Sequence, residues 1–405
     1  MHTQQPRRAG ACVASRVLAA GVAFTVPAIA FAQTGTSSVP VSSYDELFGD
    51  AALREIAERN NTLSGVEFGG VMQFRYLSIY RGDQFINDEL TTGFQNSRTL
   101  VWFGGDLGEE FRVYVQGGFD HFDPGEFGLN DAYLTYQYNE RVQFGAGQRR
   151  SPLLQQDIVE PWNQQAIEVS SAHLFLSPIE VQGVWVYAEQ DATRGWLMLH
   201  DGVGSGNTDI DSADEADVAL VARGEYKWAG AWDQFDQFTS PMDAEEAGRV
   251  GAAFGFQTGG STVGSQDIDA LYFIFDAMYQ GSGWNLFGQV AVATIDQTNA
   301  SDLVEFTAEF QAGMYLSQST EIFGRFDSIF PDDARPNHDP TTILTFGINE
   351  YLIPDDPQAL KLSFDVQWLF QDPVGSGTPG STLTGVLPSV DAGEVVFKGQ
   401  IQARY

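Results

Sequence analysis

The chain has 405 residues and carries 54 acidic residues against 21 lysines and arginines, a formal net charge of −33. This acidity argues against a nucleic-acid-binding protein, because contact with a phosphate backbone requires a basic surface. A single cysteine excludes an intramolecular disulfide framework, and an aromatic content of 13% with 43 glycines favours a glycine-rich β-protein over a disordered chain.

The N-terminal segment has the organisation of a secretory signal peptide. It begins with three arginines, Arg7, Arg8 and Arg16. An apolar stretch over 17–30 follows, and Ala-Phe-Ala at 30–32 supplies small residues for cleavage, so we predict a signal peptide over 1–32. A membrane anchor is the alternative, but the stretch is shorter than the roughly 20 residues that a spanning helix needs. Because Cys12 lies inside the signal, the mature chain has no thiol nucleophile.

Residues 33–62 form a predicted leader ahead of the main domain. Ser43 and Glu46 fit a capping box, so a short helix is expected over 43–60. This helix could plug a lumen, lie in the periplasm or pack between protomers. A disordered leader is the alternative interpretation.

The rest of the chain alternates apolar and polar residues with a period of two. Val304 to Leu316 places apolar side chains on one face and Glu305, Thr307, Glu309 and Gln311 on the other. Segments of about ten alternating residues separated by turns are typical of transmembrane β-barrels. A soluble β-sandwich also alternates, so the pattern alone leaves both architectures open.

Loop lengths favour the barrel. We predict an all-β, antiparallel transmembrane barrel of about sixteen strands over residues 63–405, since bacterial barrels have even strand numbers. Long and short connections mostly alternate along the chain, as extracellular loops and periplasmic turns do. The long connection 229–245 falls where a short turn is expected. The predicted strands are 65–80, 96–107, 110–120, 129–139, 141–149, 180–190, 193–201, 216–228, 246–257, 267–280, 283–295, 303–316, 320–330, 341–352, 359–370 and 393–405.

Residues 145–255 resemble the porin O and P family, the phosphate-selective porins. The similar stretches are Gly145-Ala-Gly-Gln-Arg-Arg-Ser-Pro152, Ile167-Glu-Val-Ser-Ser171 and Val181-Gln-Gly-Val-Trp-Val-Tyr187. They match the family's G-Q-(F/R)-K-x-P-F stretch, its x-V-E-R-S stretch and its R-x-x-G-V strand. The stretch Asp233-Gln-Phe-Asp-Gln-Phe-Thr-Ser-Pro241 resembles planctomycete-type members, and such a segment also accounts for the long connection 229–245.

The resemblance implies a trimer and a loop after the fifth strand that folds into the pore and sets selectivity. That loop corresponds to 149–179, and its candidate constriction residues are Arg149, Arg150, Asp157, Glu160 and Glu168. The sign of the wall charges at a constriction decides which ions enter. Ser170 stands where the family has the arginine of V-E-R-S, and the loop is net acidic. Both departures weaken the expectation of phosphate selectivity.

The polar faces of the predicted strands point into the lumen. Among the charged residues expected to face inward are Arg112, Arg223, Glu225, Glu305, Glu309, Arg325 and Asp365. Mixed signs suit a polar, water-filled channel, although opposed charges also stabilise a barrel simply by pairing. We therefore predict an outer-membrane porin for passive diffusion of ions or small hydrophilic solutes, with phosphate or other anions as candidates and without a cofactor.

Two other functional classes compete with the porin. A barrel enzyme of lipase or protease type would need a histidine near a serine or an aspartate, and the mature histidines are His121, His173, His200 and His338. None lies in a recognisable motif. A non-conducting surface scaffold is the other class, and only an open lumen separates it from a porin.

A metal site is not predicted. The acidic residues of 209–217 offer oxygen ligands for calcium, but their spacing lacks the glycine and the terminal glutamate of an EF-hand loop. A solvated acidic loop is the favoured interpretation.

Overall fold

The computed structural model describes residues 64–80, 90–120, 126–212, 215–260, 268–297, 300–335, 338–370 and 394–405. The predicted signal peptide, the predicted leader helix and His121 lie outside these ranges.

Sixteen antiparallel strands form one closed barrel in which each strand pairs with its neighbours in sequence and β1 pairs with β16. The predicted fold class is therefore confirmed. The strands are β1 (Ser64–Tyr80), β2 (Leu90–Leu107), β3 (Phe111–Asp120), β4 (Gly128–Asn139), β5 (Val142–Arg150), β6 (Glu180–Glu189), β7 (Thr193–His200), β8 (Val218–Ala229), β9 (Ala247–Thr258), β10 (Ile268–Gly281), β11 (Trp284–Gln297), β12 (Leu303–Tyr315), β13 (Thr320–Phe330), β14 (Thr341–Tyr351), β15 (Leu360–Leu369) and β16 (Val395–Arg404).

Most predicted strand bounds agree with the structure to within two residues, and the exception is the start of β2. This strand begins at Leu90 rather than at residue 96, because 90–95 pair with 75–80 of β1 beyond a bulge between Gln73 and Phe74. The added stretch Leu-Thr-Thr-Gly-Phe-Gln alternates poorly, which is why the sequence pattern missed it.

The burial pattern is inverted relative to a soluble β-protein. On β12, the apolar side chain of Phe310 is 51% exposed, whereas the acidic side chains of Glu305 and Glu309 are 1% and 4% exposed. A soluble sandwich buries its apolar face, so this distribution excludes it. An apolar outer face with a polar interior is the arrangement of a barrel surrounded by lipid.

No helix among the described residues is both long enough and apolar enough to cross a membrane. The helices that are present are short and lie in two connections. The connection 151–179 contains α1 (Gln155–Ile158), a 3₁₀ turn (Pro161–Asn163) and α2 (Ser171–Leu176). The connection 230–246 contains a second 3₁₀ turn (Trp232–Asp236).

These two connections, hereafter the inner loop (151–179) and the inner turn (230–246), enter the barrel from opposite ends. They meet in the lumen, where the Phe238 N–H donates to the Asn163 carbonyl at 3.2 Å. An apolar core forms at this junction from Val159 of the inner loop, the three aromatic side chains of the inner turn and wall residues. Its members are Val159, Trp232, Phe235, Phe238, Ala247, Met278 and Phe287.

Candidate pore constriction

The inner loop is attached to one side of the barrel wall. Gln165 donates to Glu321 on β13 at 2.6 Å, the Ile167 N–H donates to Asp365 on β15 at 3.2 Å, and Lys361 donates to the Gln164 carbonyl at 3.0 Å. Further bonds reach Arg223 on β8 and Gln402 on β16. The loop also contacts Arg75 on β1 and Arg98 on β2. A segment that contacts strands from β8 through β16 to β2 can only lie inside the barrel.

Two predicted constriction residues are used for attachment or internal packing. Glu168 is 1% exposed and forms salt bridges with Arg75 and with Arg98, the latter at 2.8 Å. Asp157 lies within the inner loop, where it accepts a hydrogen bond from Ser177 Oγ at 2.7 Å and lies 3.1 Å from His173 Nε2. Both carboxylates therefore hold the loop in its conformation.

Most of the charged residues predicted to line a water-filled channel lie beneath the inner loop or the inner turn. They face inward, but Arg223, Glu225, Glu305, Glu309, Arg325 and Asp365 are each at most 4% exposed. The interpretation as channel lining needs correction for these six. Alternation reports which face of a strand a residue occupies, but it cannot report which part of the lumen a distant loop fills.

Arg112 differs from this group because it lies on β3, where neither the inner loop nor the inner turn covers its side chain. Its side chain is 36% exposed and forms salt bridges with Glu67 at 2.5 Å and Asp106 at 2.8 Å. Arg112 is therefore a partly accessible charged residue of this wall.

A buried ionic network supports the junction of the inner loop with the wall. Arg223 contacts Asp276 at 2.8 Å and Glu225 at 2.7 Å, and Arg249 contacts Asp276 at 2.6 Å. Arg223 also donates to Gln155 of the inner loop at 3.1 Å. Breaking one partner of such a buried pair leaves an uncompensated charge, so the network fixes the position of the loop.

The inner turn is an element that sequence reasoning did not place in the lumen. Thr239 Oγ1 donates to Glu321 at 2.9 Å, and Ser240 Oγ donates to the Gly281 carbonyl at 2.7 Å. Two signals could have located it: its excessive length for a turn, and three large aromatic residues at 232, 235 and 238, a spacing that suits burial.

Glu321 joins both inner segments to the wall. Its buried carboxylate accepts hydrogen bonds from Gln165 of the inner loop, from Thr239 of the inner turn, and from wall side chains. The wall donors are Asn285 at 3.2 Å, Asn349 at 3.1 Å and Tyr351 at 2.6 Å. All five donors are neutral, so hydrogen bonding rather than a counter-charge stabilises this carboxylate.

The inner face of the wall formed by β3 to β6 carries a group of charged and aromatic side chains. Arg149 on β5 lies over the rings of Trp185, 5.2 Å from the centroid, and Tyr133, at 6.0 Å. Tyr114 stacks on Tyr133 with ring centroids 5.2 Å apart. Glu160 of the inner loop is half-buried and lies close enough to Arg149 and Arg150 for their charges to act on its carboxyl.

Glu160 belongs to the inner loop rather than to a membrane-spanning strand, and its environment changes its proton affinity. Burial raises the pKa of the Glu160 carboxyl to about 7, and the nearby Arg150 guanidinium opposes part of that rise. Arg150 forms its own salt bridge with Glu180 at 3.3 Å. Glu160 therefore changes its charge near neutral pH.

A cleft of about 270 Å³ lies beside the inner loop. Its lining includes Arg98, Asn130, Arg150, Asp157 and His173. None of the described residues of 209–217 lines this cleft, and no group of three or more metal-ligating side chains is found among the described residues.

No protein-family model and no curated protein matches this chain. Solved structures do match it. An anion-selective porin from Comamonas acidovorans superimposes with a TM-score of 0.60 at 12% identity, covering 84% of this chain and 99% of that one. OprB of Pseudomonas putida gives 0.58 at 9%, covering 88% and 97%. The outer-membrane channel DcaP of Acinetobacter baumannii gives 0.55 at 13%, covering 83% and 96%. The chain thus has a porin-type fold, which with its apolar outer face places it in the outer membrane.

We predict that Glu321→Gln destabilises the folded barrel by about 1–3 kcal/mol. The substitution replaces one acceptor oxygen by an NH₂ group, so some of the hydrogen-bond donors around residue 321 then face another donor. Urea unfolding of the refolded protein in detergent measures the change. Glu350→Gln is the matched control, since among the described residues Glu350 accepts side-chain bonds from Ser319 and Thr320 alone, at a strand end. Equal effects of the two substitutions would contradict the proposed joining role of Glu321.

Proposed function

We propose that the protein is a passive outer-membrane porin for ions and small hydrophilic solutes. The observation that carries the proposal is the asymmetric lumen. The two inner segments contact the wall from β8 through β16 to β2, whereas Arg112 on β3 and Arg149 on β5 are only partly buried. A polar passage of this kind lets hydrated solutes cross a barrel whose outer face is apolar.

The charge of the narrow passage supports a modest preference for anions. Arg149 forms no salt bridge with any described residue, while Glu168 is neutralised by two arginines and Glu160 holds its proton up to near neutral pH. Strong phosphate selectivity is less well supported. Arg75, Arg98, Arg112 and Arg150 are already paired with carboxylates, which leaves few cations to replace the hydration of a dianion.

Single-channel recording of the refolded protein under a KCl gradient tests this function. We expect discrete conductance with a weakly anion-favouring reversal potential, and a shift toward cations in Arg149→Gln because the unpaired charge is removed. Arg141→Gln is the control, since Arg141 lies in the exposed turn between β4 and β5. A correctly folded barrel without conductance would contradict the porin proposal. Block of the KCl current by phosphate at low concentration would instead support selectivity for phosphate.

The selectivity should depend on pH through Glu160. As pH falls from 8 to 6, its carboxyl takes up a proton and the passage loses one negative charge, so the anion-to-cation permeability ratio should rise. Glu160→Gln should abolish this dependence, whereas Glu110→Gln, in the exposed turn after β2, should retain it. Reversal potentials at several pH values measure the effect. Unchanged pH dependence in Glu160→Gln would assign the titration to another group.

We also propose a homotrimer. The support is that one structure of similar fold, OmpT of Vibrio cholerae, is described as a trimer form, with a TM-score of 0.55 at 13% identity. Light scattering of the detergent-solubilised protein, with the detergent contribution subtracted, should give about three times the mass of the chain. A monomeric mass would contradict this assembly.

The histidines favour a channel over an enzyme. His173 contacts Asp157, His200 Nδ1 accepts the Gly202 N–H at 3.1 Å, and exposed His338 lies near a backbone carbonyl. Among the described residues, no serine hydroxyl lies within hydrogen-bond distance of a histidine ring nitrogen. A hydrolytic mechanism of the serine type needs that contact. A histidine–aspartate pair is present in His173 and Asp157, but it lies within the inner loop, where Asp157 also accepts a hydrogen bond from Ser177 and stabilises the loop. We therefore propose that the chain has no enzymatic activity.

A further inference from the structure

Arg149 differs from every other described arginine on the inner wall. Arg75, Arg98, Arg112, Arg194, Arg223, Arg249 and Arg325 each form a salt bridge with a carboxylate. Arg149 has none within the described part of the chain. Its Nε donates to the Arg150 carbonyl at 3.3 Å, and its half-buried guanidinium otherwise contacts aromatic rings.

The aromatic rings hold this guanidinium in place without neutralising it. Trp185 and Tyr133 meet edge to face with centroids 5.6 Å apart, and Arg149 lies over both rings. An arginine stacked on aromatic faces keeps its charge and its planar fork of donors. Its two terminal nitrogens therefore remain available to an anion in the passage.

A flat apolar surface continues from this cation along the same wall. Tyr114 stacks on Tyr133, with an angle of 27° between the rings, and is itself only half-buried. Aromatic faces favour stacking with other flat groups. The wall therefore presents the Arg149 guanidinium beside an aromatic ring, Tyr114, on which a flat group can stack.

The neighbouring charges restrict which anions suit this site. Asp131 and Glu160 both lie within range of charge interaction with Arg149. The repulsion from these carboxylates grows with the charge of the anion, so a monoanion meets less of it than a multiply charged anion does. Carboxylates match the arginine fork with two parallel hydrogen bonds.

We propose that the passage selects organic monocarboxylates that carry a flat, unsaturated or aromatic group. The carboxylate binds the Arg149 guanidinium and the flat group lies on Tyr114. This inference rests on the proposed porin function and names its solute class.

Three sodium salts test the proposal in planar bilayers that contain the refolded full-length protein. Benzoate supplies a carboxylate with a flat ring, cyclohexanecarboxylate supplies a ring of similar size that is not flat, and acetate supplies the carboxylate alone. The measurement is the concentration of each anion that halves the single-channel KCl current. We expect benzoate to act at about three- to tenfold lower concentration than either of the others, as stacking energies predict.

Two substitutions assign the effect to these residues. Tyr114→Leu should bring the benzoate value close to that of cyclohexanecarboxylate, while the acetate value stays the same. Arg149→Lys should weaken block by all three anions, because the ammonium group lacks the planar fork. The matched controls are Tyr138→Leu, whose side chain is 64% exposed at the end of β4, and Arg141→Lys in the adjacent turn.

The outcomes separate this inference from the porin proposal. Absence of KCl conductance from folded protein would overturn the porin function and this inference with it. Normal conductance with equal block by benzoate and cyclohexanecarboxylate would overturn the solute class alone. A benzoate preference that survives Tyr114→Leu would also overturn it, because the stacking surface would lie elsewhere.

Discussion

Every peptide group inside a lipid bilayer must find its hydrogen-bond partner within the protein, because hydrocarbon offers none. This chain meets that constraint by closing sixteen strands on themselves. The closure depends on the pairing of β1 with β16, in which Gly70 and Tyr405 exchange backbone hydrogen bonds at 3.0 and 3.1 Å. Once the backbone is satisfied in this way, the two faces of each strand are free to serve lipid and lumen separately.

The polar face creates a second problem, since a lumen of buried charges is stable only if the charges are paired. The inner loop and the inner turn supply many of the partners. Glu168 forms salt bridges with both Arg75 and Arg98, and the Gln155 side chain joins the network of Arg223 and Asp276. The strongly acidic composition therefore does not indicate the ion preference of the passage, because many carboxylates of the chain already bind the inner loop and the inner turn to the wall.

Selectivity is then left to a small number of residues on the uncovered wall. Arg149 is positioned by aromatic rings rather than by a carboxylate, and Glu160 approaches from the inner loop. Attachment of the loop and choice of solute are linked through this geometry. Glu321 is distant in sequence from Arg149 and Glu160. A substitution at Glu321 can still alter the passage, because it loosens the inner loop that carries Glu160.

The period-two pattern and the loop lengths together predicted a barrel of about sixteen strands, most strand bounds and the apolar outer face, because alternation is a local property that lipid and lumen impose directly. It also placed Arg112, Arg223 and Glu309 on the inner face. Only the tertiary structure decided that Arg223 and Glu309 lie beneath the inner loop, that Glu168 is neutralised, and that 230–246 enters the barrel. Those outcomes depend on contacts between residues 68 to 153 positions apart, and no local period encodes which part of a lumen a folded segment will occupy.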